Sequence, residues 1–329
     1  MRAAQTIAVA VLAVFALAFG GCGSDDDDAS GGGGGPEKTS LRVGLLTIGD
    51  LIPFWAAREE GFFREEGLEV EEVEMAGGAA IQPAVASGDL DLGWSNVVSV
   101  VLAKAQDLEF AFFGSGGAFL GPGHYENQAI LSQQGSPIED VQHLQGKTIG
   151  VNTLNNINHL AITAHLDEAG VDPDSVEFLE LGTPDTIQPL EAGRVDAVAG
   201  NEPFVTLGVS GGVAQVVTYN PFEPFGEEPF LAGWMSTPQW LEENPKTAAA
   251  FTRAIDKGVA WVEENPEEAN ALLVEITGID AKVVREMTPS LLKAEITPAD
   301  IEPWIEAAEK YGMSDSTFEA SEILWEGDQ

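Results

Sequence analysis

A dense group of hydrogen-bonding side chains occurs in the second half of the chain, directly after an apolar run. Asn152, Thr153, Asn155 and Asn156 follow the run GKTIGV and precede a predicted helix over 157–169. Amides and hydroxyls are costly to bury without partners, and a helix start offers unpaired N–H groups with partial positive charge. We therefore predict that these residues bind a small polar ligand; the alternative is a loop that only caps the helix.

Three loops in the first half of the chain follow apolar runs in the same way. Because ligands bind at the carboxyl ends of strands in open α/β sheets, we expect these loops to reach the same site. The alternative is that the two aromatic residues after the first strand belong to the core and that the polar residues are plain helix caps. The candidates in these loops are Asp50, Phe54, Trp55, Gly78, Trp94, Ser95 and Asn96.

Glu202, which follows the apolar run at 195–200, is the most informative candidate. A carboxylate in the site would repel a simple anion and would attract an ammonium group or a protonated ring nitrogen. A zwitterion with a sulfonate or carboxylate at one end and an amine at the other fits both features, and so does an amino-pyrimidine. The alternative is that Glu202 pairs with Arg194 or faces water.

The elements that would position these residues alternate between short apolar strands and helices. One series runs over 41–114 and a second over 129–219, and both show the rhythm of strand, helix, strand. This alternation predicts parallel sheets with right-handed crossovers. After residue 234 the pattern becomes helical to the end, with proline near several predicted helix starts. We expect four or five amphipathic helices there, packed mainly on the first series.

Catalytic and nucleic-acid-binding functions find little support. The four histidines form no HExxH pair, and the chain has no GxSxG motif, no Walker loop and no cysteine besides Cys22. We therefore expect no enzyme, no metal and no cofactor. With 15 Lys+Arg against 54 Asp+Glu and a formal net charge of −39, the chain has no basic patch for nucleic acid.

The N-terminus is typical of an exported, lipid-anchored protein. Arg2 precedes 13 apolar residues at 7–19, a length that suits the apolar region of a signal peptide and is too short to span a membrane. Two glycines then lead to Cys22, which resembles the acylated cysteine of a lipobox, although Phe19 departs from the usual aliphatic residue. We predict a signal peptide over 1–21 and a flexible Asp/Gly tether over 22–40; the alternative is an ordinary secretory peptide.

Four ordered motifs carry a family resemblance: WAAREEGFFREEGLEV at 55–70, ASGDLDLGWSN at 86–96, LQGKTIGVN at 144–152 and LEAGRVDAVAGNEPF at 190–204. Their order and spacing resemble the nitrate/sulfonate/taurine-type substrate-binding proteins of ABC transporters. The resemblance implies an α/β fold of two lobes, the type II periplasmic-binding-protein fold, with a helical C-terminal segment. By that analogy lobe 1 comprises 41–122 and 231–329, and lobe 2 comprises 123–230.

The resemblance also implies a function. The chain would be an extracytoplasmic monomer that captures a small sulfonate or taurine-like zwitterion by hinge closure and delivers it to an ABC permease and its ATPase. Three alternatives stay open: a binding protein for an amino-pyrimidine thiamine precursor, a receptor that serves no importer, and, least favoured, an enzyme of pyrimidine synthesis.

Overall fold

The computed structural model describes residues 35–75, 77–181, 186–316, 318–325 and 327. Cys22, the signal peptide and most of the tether lie outside these ranges. The described strands are β1 (Ser40–Leu45), β2 (Glu69–Glu74), β3 (Leu92–Asn96), β4 (Ala111–Phe112), β5 (Gly117–Phe119), β6 (Gln128–Gln133), β7 (Thr148–Val151), β8 (Glu177–Glu180), β9 (Ala197–Asn201), β10 (Ala214–Tyr219), β11 (Phe230–Ser236) and β12 (Leu291–Lys293).

Helices separate most of these strands and make up most of the C-terminal part. They are α1 (Ile52–Glu59), α2 (Phe62–Glu65), α3 (Gly78–Ala86), α4 (Val97–Lys104), α5 (Ile157–Glu168), α6 (Ile187–Glu191), α7 (Phe204–Ser210), α8 (Pro238–Glu243), α9 (Pro245–Glu264), α10 (Pro266–Thr277), α11 (Ala281–Glu286) and α12 (Pro298–Lys310). The helical C-terminal segment therefore contains α8–α12, and β12 is an additional strand that its helical pattern does not predict.

The described strands form two sheets. The seven-stranded sheet has the order β12-β5-β11-β3-β1-β2, with β4 also paired to β11, and the five-stranded sheet has the order β10-β6-β9-β7-β8. The chain passes from the first sheet to the second after β5 and returns after β10. Each sheet and its helices form one lobe.

The expectation of purely parallel sheets is wrong for the strands that follow these passages. β1 pairs in parallel with β2 and β3, and β7 does so with β8 and β9. β11 is antiparallel to β3, however, and β6 is antiparallel to β9. The start of β11 lies beside the carboxyl end of β3, where Ala232 is opposite Asn96. When the chain enters a sheet at the carboxyl ends of the strands already there, the new strand must run antiparallel to them.

The core of the first lobe is aromatic and is covered by the long helix α9. Phe251 of α9 contacts Phe63 and Trp234, with ring centroids 5.4 and 5.0 Å apart. α9 also approaches α1 so closely that a Cβ at Gly258 would lie 2.1 Å from the carbonyl oxygen of Pro53. Such contacts hold α1, and therefore the loop before it, in a fixed position. None of the described helices combines the length and apolar character needed to cross a membrane.

Candidate ligand-binding cleft

A cleft of about 150 Å³ lies between the two lobes, where the carboxyl ends of strands from both sheets meet. The first lobe contributes the loop after β1, the start of α3 and the junction of β3 with α4. The second lobe contributes the loop between β7 and α5. Of the candidates predicted from the sequence, the cleft is lined by Asp50, Gly78, Trp94, Asn96, Asn152, Thr153, Asn155 and Asn156.

The start of α3 presents bare backbone to the cleft. Gly77 precedes the helix and has no side chain to cap it, so the first N–H groups of α3 receive no side-chain cap at a helix start that lines the cleft. Gly78 is required by its neighbour in β3, because a Cβ there would lie 2.5 Å from Ser95 Oγ. Ser95 itself is only 1 % exposed and does not line the cleft. Its role is therefore to support the wall of the cleft.

The junction of β3 with α4 adds an aromatic wall and a capped helix. Trp94 is nearly buried and packs edge-on against Trp234, with ring centroids 5.0 Å apart. Asn96 Oδ1 accepts from the N–H of Ser99, and Asn96 Nδ2 donates to Ser99 Oγ. Both functional groups of the Asn96 side chain are thus engaged within the helix start, as in an ordinary N-cap.

In the second lobe, an amide network shapes the start of α5. Asn156 Oδ1 accepts from the N–H groups of Asn158 and His159, at 3.1 and 3.4 Å. Asn156 Nδ2 and Asn158 Nδ2 both donate to Asn152 Oδ1. The network fixes the positions of these amides, and it leaves Asn155 and Thr153 as cleft-lining residues whose side chains do not take part in it.

Two residues outside the cleft hold this loop in place. Glu180 of β8 accepts from the N–H of Leu154 at 2.9 Å, and His159 Nδ1 accepts from the N–H of Asn155 at 3.0 Å. The His159 ring lies against Phe178, and burial lowers the pKa of His159. A neutral imidazole can accept at Nδ1, so the loop geometry depends on the neutral form. Asn155 itself has a φ of +51°, a conformation that asparagine tolerates better than most residues.

Asp50 supplies the charge of the cleft. Among the described lining residues it is the only ionisable one, and none of them is Lys, Arg or His. Ser290 Oγ donates to Asp50 Oδ1 at 2.8 Å. Burial raises the pKa of Asp50, and the Ser290 hydrogen bond opposes this shift in part. A cationic group in the cleft would stabilise the carboxylate form.

Phe54 and Trp55 do not line the cleft, which corrects the expectation that they wall the ligand. They are 0 % and 1 % exposed, and Phe54 contacts Phe63 and Trp234 in the core. Both residues lie inside α1, where the side chains of consecutive residues point in different directions. The sequence placed them after a strand but did not show which way the helix turns them.

Glu202 also lies away from the cleft, so it cannot be the charge that selects the ligand. Its Oε2 accepts from the N–H of Thr206, and its Oε1 accepts from Thr206 Oγ1 and from the N–H of Thr288. These bonds hold the start of α7 and tie it to the segment after α11. Burial raises the pKa of Glu202, and its partners are neither Arg194 nor water-exposed groups.

Several cleft residues were missed by the sequence reasoning. Gln128 opens β6 and Asn201 ends β9, and these two residues are paired across the sheet. Gln128 belongs to the antiparallel strand β6, whose direction the alternating pattern did not reveal, and it lies opposite Asn201 at the carboxyl end of β9. The other missed lining residues are Leu46, Ile48, Ser99, Leu154, Ile157, Asn158, Phe222, Leu231 and Ala232. Within the described ranges, no group of three or more His, Cys, Asp or Glu side chains could hold a metal ion.

Relatives of the chain include binding proteins for different small molecules. A Bacillus subtilis protein named for the binding of aliphatic sulfonates is 25 % identical over 85 % of this chain and 80 % of its own length. The formylaminopyrimidine-binding protein of Halalkalibacterium halodurans is 28 % identical over 71 % and 69 %. The taurine-binding periplasmic protein of Escherichia coli is 26 % identical over 61 % and 60 %.

Pyrimidine phosphate synthases also occur among the relatives. The 4-amino-5-hydroxymethyl-2-methylpyrimidine phosphate synthase of Saccharomyces cerevisiae is 25 % identical over 63 % of this chain and 61 % of its own length. The relatives therefore include a protein named for binding a pyrimidine and synthases named for making one.

Solved structures share the fold. The periplasmic aliphatic sulphonate-binding protein of Escherichia coli has a TM-score of 0.73 over 89 % of this chain and 94 % of its own, at 18 % identity. The alkanesulfonate-binding protein of Xanthomonas axonopodis pv. citri has a TM-score of 0.75 over 88 % and 99 %, at 17 % identity. These likenesses confirm the two-lobed α/β fold of periplasmic binding proteins.

The family model described as NMT1/THI5 like matches residues 49–269, a span that includes both walls of the cleft. Together with the relatives, this match confirms the resemblance inferred from the four sequence motifs. The chain belongs to the NMT1/THI5-like family.

Proposed function

We propose that this chain is the extracytoplasmic solute-binding protein of an ABC importer and that it captures a small organic sulfonate carrying an amine, such as taurine. The observation that carries the proposal is the electrostatic make-up of the cleft. Its described lining combines one carboxylate with amide groups and helix starts, and contains no cationic side chain. Such a lining favours a ligand that brings its own positive charge beside an oxyanion.

The oxyanion end fits the helix starts. α3 begins at the cleft without a side-chain cap for its first N–H groups, and the starts of α4 and α5 lie in the same cleft. Helix N-termini bind sulfate, phosphate and carboxylate through such N–H groups and the helix dipole. A sulfonate presents the same kind of oxygen atoms, so we place it at the start of α3.

The amine end fits Asp50. Only one hydrogen bond to its carboxyl group is formed by the described residues, from Ser290, and a carboxylate can accept several. An ammonium group would pair with it and offset the cost of burying the charge. Nitrate would leave Asp50 without this partner, which disfavours a bare inorganic anion.

A second candidate ligand is an amino-pyrimidine. It is favoured by Gln128 and Asn201, whose amides lie in the cleft and could hydrogen-bond to the edge of a heterocycle. Trp94 and Phe222 add aromatic surface. Asp50 would then pair with a protonated ring nitrogen or an exocyclic amino group.

Capture by hinge closure is supported by the connections between the lobes. The chain passes between the two sheets after β5 and again after β10, and each wall of the cleft belongs to one lobe. We propose that residues 41–122 and 231–329 form lobe 1 and residues 123–230 form lobe 2, and that the ligand contacts both lobes only when they close. The chemistry is binding, and we assign no reaction to the cleft.

Calorimetry with four ligands tests the ligand class. We expect taurine to bind more tightly than ethanesulfonate, which lacks the amine, and both to bind more tightly than nitrate. A formylated amino-pyrimidine is the fourth ligand. Asp50→Asn should weaken taurine binding at least tenfold, equivalent to about 1.4 kcal/mol, and should change ethanesulfonate binding less than twofold. Tighter binding of the pyrimidine than of taurine would favour the second candidate.

We also propose that Cys22 carries a lipid that anchors the protein at the membrane beside the permease and ATPase, and that the protein acts as a monomer. Cys22 lies outside the described residues, and the support is the sequence around it together with the extracytoplasmic location named for relatives. Cys22→Ser should move the protein from the membrane fraction to the soluble secreted fraction. Retention of this variant in the detergent phase would contradict the anchor, and unchanged taurine uptake after deletion of the gene would contradict transport.

A further inference from the structure

A second cavity, of about 420 Å³, lies on the other side of Asp50 from the cleft, and we name it the chamber. It is bounded by the start of α1, by α10 and by the segment from α11 to β12. Much of its wall is aliphatic, including Ile52, Val284, Leu291 and Leu292. Asp50 lines both the chamber and the cleft, so one carboxyl group belongs to two cavities.

The charge distribution of the chamber is uneven. Ser290, which holds Asp50 Oδ1, is a chamber residue and does not line the cleft. The other titratable lining residues are His124, Glu263 and Arg285. Glu263 and Arg285 are exposed to solvent, and His124 Nδ1 lies 2.9 Å from the carbonyl oxygen of Pro289. No Lys, Arg or His among the described residues forms an ion pair with Asp50 within 4 Å. This largely apolar cavity is therefore lined by a carboxyl group that has no ion-pair partner among the described residues.

We propose that the chamber is a second binding site, and that its ligand is an organic cation with an apolar body whose ammonium group pairs with Asp50. Apolar ligand surface would be removed from water against the aliphatic wall, and the ammonium would reach the carboxyl group held by Ser290. Pockets of this kind, mostly apolar with a few placed polar groups, are typical small-molecule sites. This inference goes beyond the proposed function, because it stands on the chamber and not on the sulfonate.

The shared carboxyl group couples the two sites. An ammonium group in the chamber and another in the cleft would both use Asp50 and would repel each other. Binding at one site therefore lowers affinity at the other, and the effect is reciprocal by linkage. We expect saturating chamber ligand to weaken taurine binding at least fivefold, with no such effect on ethanesulfonate.

Titration with hexylammonium, followed by calorimetry at pH 7, tests the site, with hexanol as the uncharged probe of equal length. We expect hexylammonium to bind the unmodified protein at least tenfold more tightly than hexanol. Asp50→Asn should remove this preference. Glu264→Gln is the matched control, because Glu264 is exposed next to the chamber and does not line it. The affinity of this variant for hexylammonium should stay within twofold of the unmodified protein's.

A second pair of variants tests the location. Asn270 lines the chamber from α10, whereas the adjacent Ala271 is exposed and does not line it. Asn270→Trp should fill the chamber and weaken hexylammonium binding at least tenfold, and Ala271→Trp should leave it unchanged. Circular dichroism checks folding, and Leu292→Trp replaces Asn270→Trp if that variant does not fold.

The inference is overturned if hexylammonium binds no better than hexanol, or if Asp50→Asn and Glu264→Gln weaken it equally, since diffuse attraction to an acidic surface would then explain the binding. It is also overturned if filling the chamber has no effect. Absence of taurine binding alongside normal hexylammonium behaviour would reject the proposed function and leave the chamber site standing.

Discussion

The carboxyl group of Asp50 lies where the loop after β1 meets α1, and Ser290 donates to it from the C-terminal part of the chain. The two residues are 240 positions apart in sequence, so no local pattern could reveal the pair. Asp50 was predicted as one loop residue among several, while the electrostatic role was assigned to Glu202. In the structure it is Asp50 that lines the cleft. The carboxylate of Glu202 instead accepts from the N–H groups of Thr206 and Thr288, away from the cleft.

The stability of the ligand-free protein should depend on pH through Asp50. Burial raises the pKa of Asp50 in the folded state above its ordinary value of about 3.9. Its contribution is therefore fully present below the unfolded pKa and is lost as pH rises through the folded pKa. Asp50→Asn removes this loss and keeps an acceptor for Ser290, so we expect the variant to unfold at higher denaturant concentration than the unmodified protein at pH 7.

At pH 4 the difference between these two proteins should shrink, and chemical denaturation at both pH values measures it. An Asp50→Asn variant that is less stable than the unmodified protein at pH 7 would show that the carboxylate is already stabilised by its surroundings. The raised pKa of Asp50 would then give no reason to expect a cationic group on the ligand.

His159 should position the ligand loop through its neutral form. Its Nδ1 accepts from the N–H of Asn155, and Glu180 is the charged group that holds the neighbouring N–H of Leu154. His159→Phe keeps an aromatic ring against Phe178 but removes the acceptor. Loss of one such hydrogen bond costs about 1 kcal/mol, so we expect the affinity for taurine at pH 8 to fall about fivefold.

The pH dependence separates this role from simple packing. Burial lowers the pKa of His159, so the stability it provides is present above about 6.5 and is lost as pH falls through the lowered folded value. The ratio of the two proteins' affinities should therefore shrink toward pH 5, and titration of Asp50 cancels in this ratio. A ratio that is constant from pH 8 to pH 5 would contradict the positioning role.

At the scale of elements, α3 and β3 meet at a contact that leaves no room for a side chain. A Cβ at Gly78 would lie 2.5 Å from Ser95 Oγ but 3.4 Å from Ser95 Cβ. Gly78→Ala should therefore destabilise the protein by about 1–3 kcal/mol through overpacking. Ser95→Ala removes the clashing oxygen, so the double variant should recover most of this loss.

Chemical denaturation of both single variants and the double variant gives the coupling energy directly. The expected coupling is favourable and of about the size of the Gly78→Ala loss. Additive effects of the two substitutions would show that the helix moves away from the strand instead of meeting Ser95.

The order of strands and helices was largely predictable, and the direction of some strands was not. Short apolar runs separated by helical segments identified β1, β3, β7 and β9, because a parallel strand buried on both faces has a continuous apolar sequence. The same pattern carries no information on direction, so β6 was expected to be parallel, and β11 lies outside the two predicted series of strands. Their antiparallel entry brings Gln128, Leu231 and Ala232 to the cleft, and these residues were missed for that reason.

Helix periodicity was similarly limited. The start of α5 was placed correctly at residue 157, because an amide group before an apolar helix is a strong N-cap signal. The sequence could not show which way the aromatic side chains of α1 point, since this depends on packing against α9. The two helices span Ile52–Glu59 and Pro245–Glu264, so they are far apart in sequence. The sequence thus identified the loops of the site more reliably than the side chains that face it.

At the scale of the whole molecule, contacts away from the cleft also join the lobes. Lys310 and Tyr311 at the end of α12 both bind Asp167 of α5, at 2.8 and 2.9 Å. The carboxylate of Asp167 raises the pKa of Lys310. On the other side, Glu202 links α7 to the segment after α11. Closure about the two chain passages must either keep these contacts or exchange them.

The net charge of −39 also acts on the molecule as a whole. Like charges spread over one surface repel each other and destabilise the compact state. Several of the described ion pairs have both side chains exposed to solvent, and such pairs contribute little. With 15 Lys+Arg against 54 Asp+Glu, we therefore expect repulsion among the excess carboxylates to outweigh the ion pairs at low salt.

We accordingly expect sodium chloride to stabilise the protein. The screening length falls from about 30 Å at 0.01 M to about 3 Å at 1 M, which removes repulsion between distant carboxylates while leaving the core unchanged. The midpoint of thermal unfolding should rise steadily over this range, and the association rate of ethanesulfonate, an anion approaching an acidic surface, should rise with it. Calorimetry and stopped-flow fluorescence measure the two effects, and glycerol at matched water activity controls for non-ionic stabilisation. A midpoint that falls as salt is added would mean that the attraction within ion pairs outweighs the repulsion among carboxylates. The excess of acidic residues would then have to be explained by binding to a cationic partner.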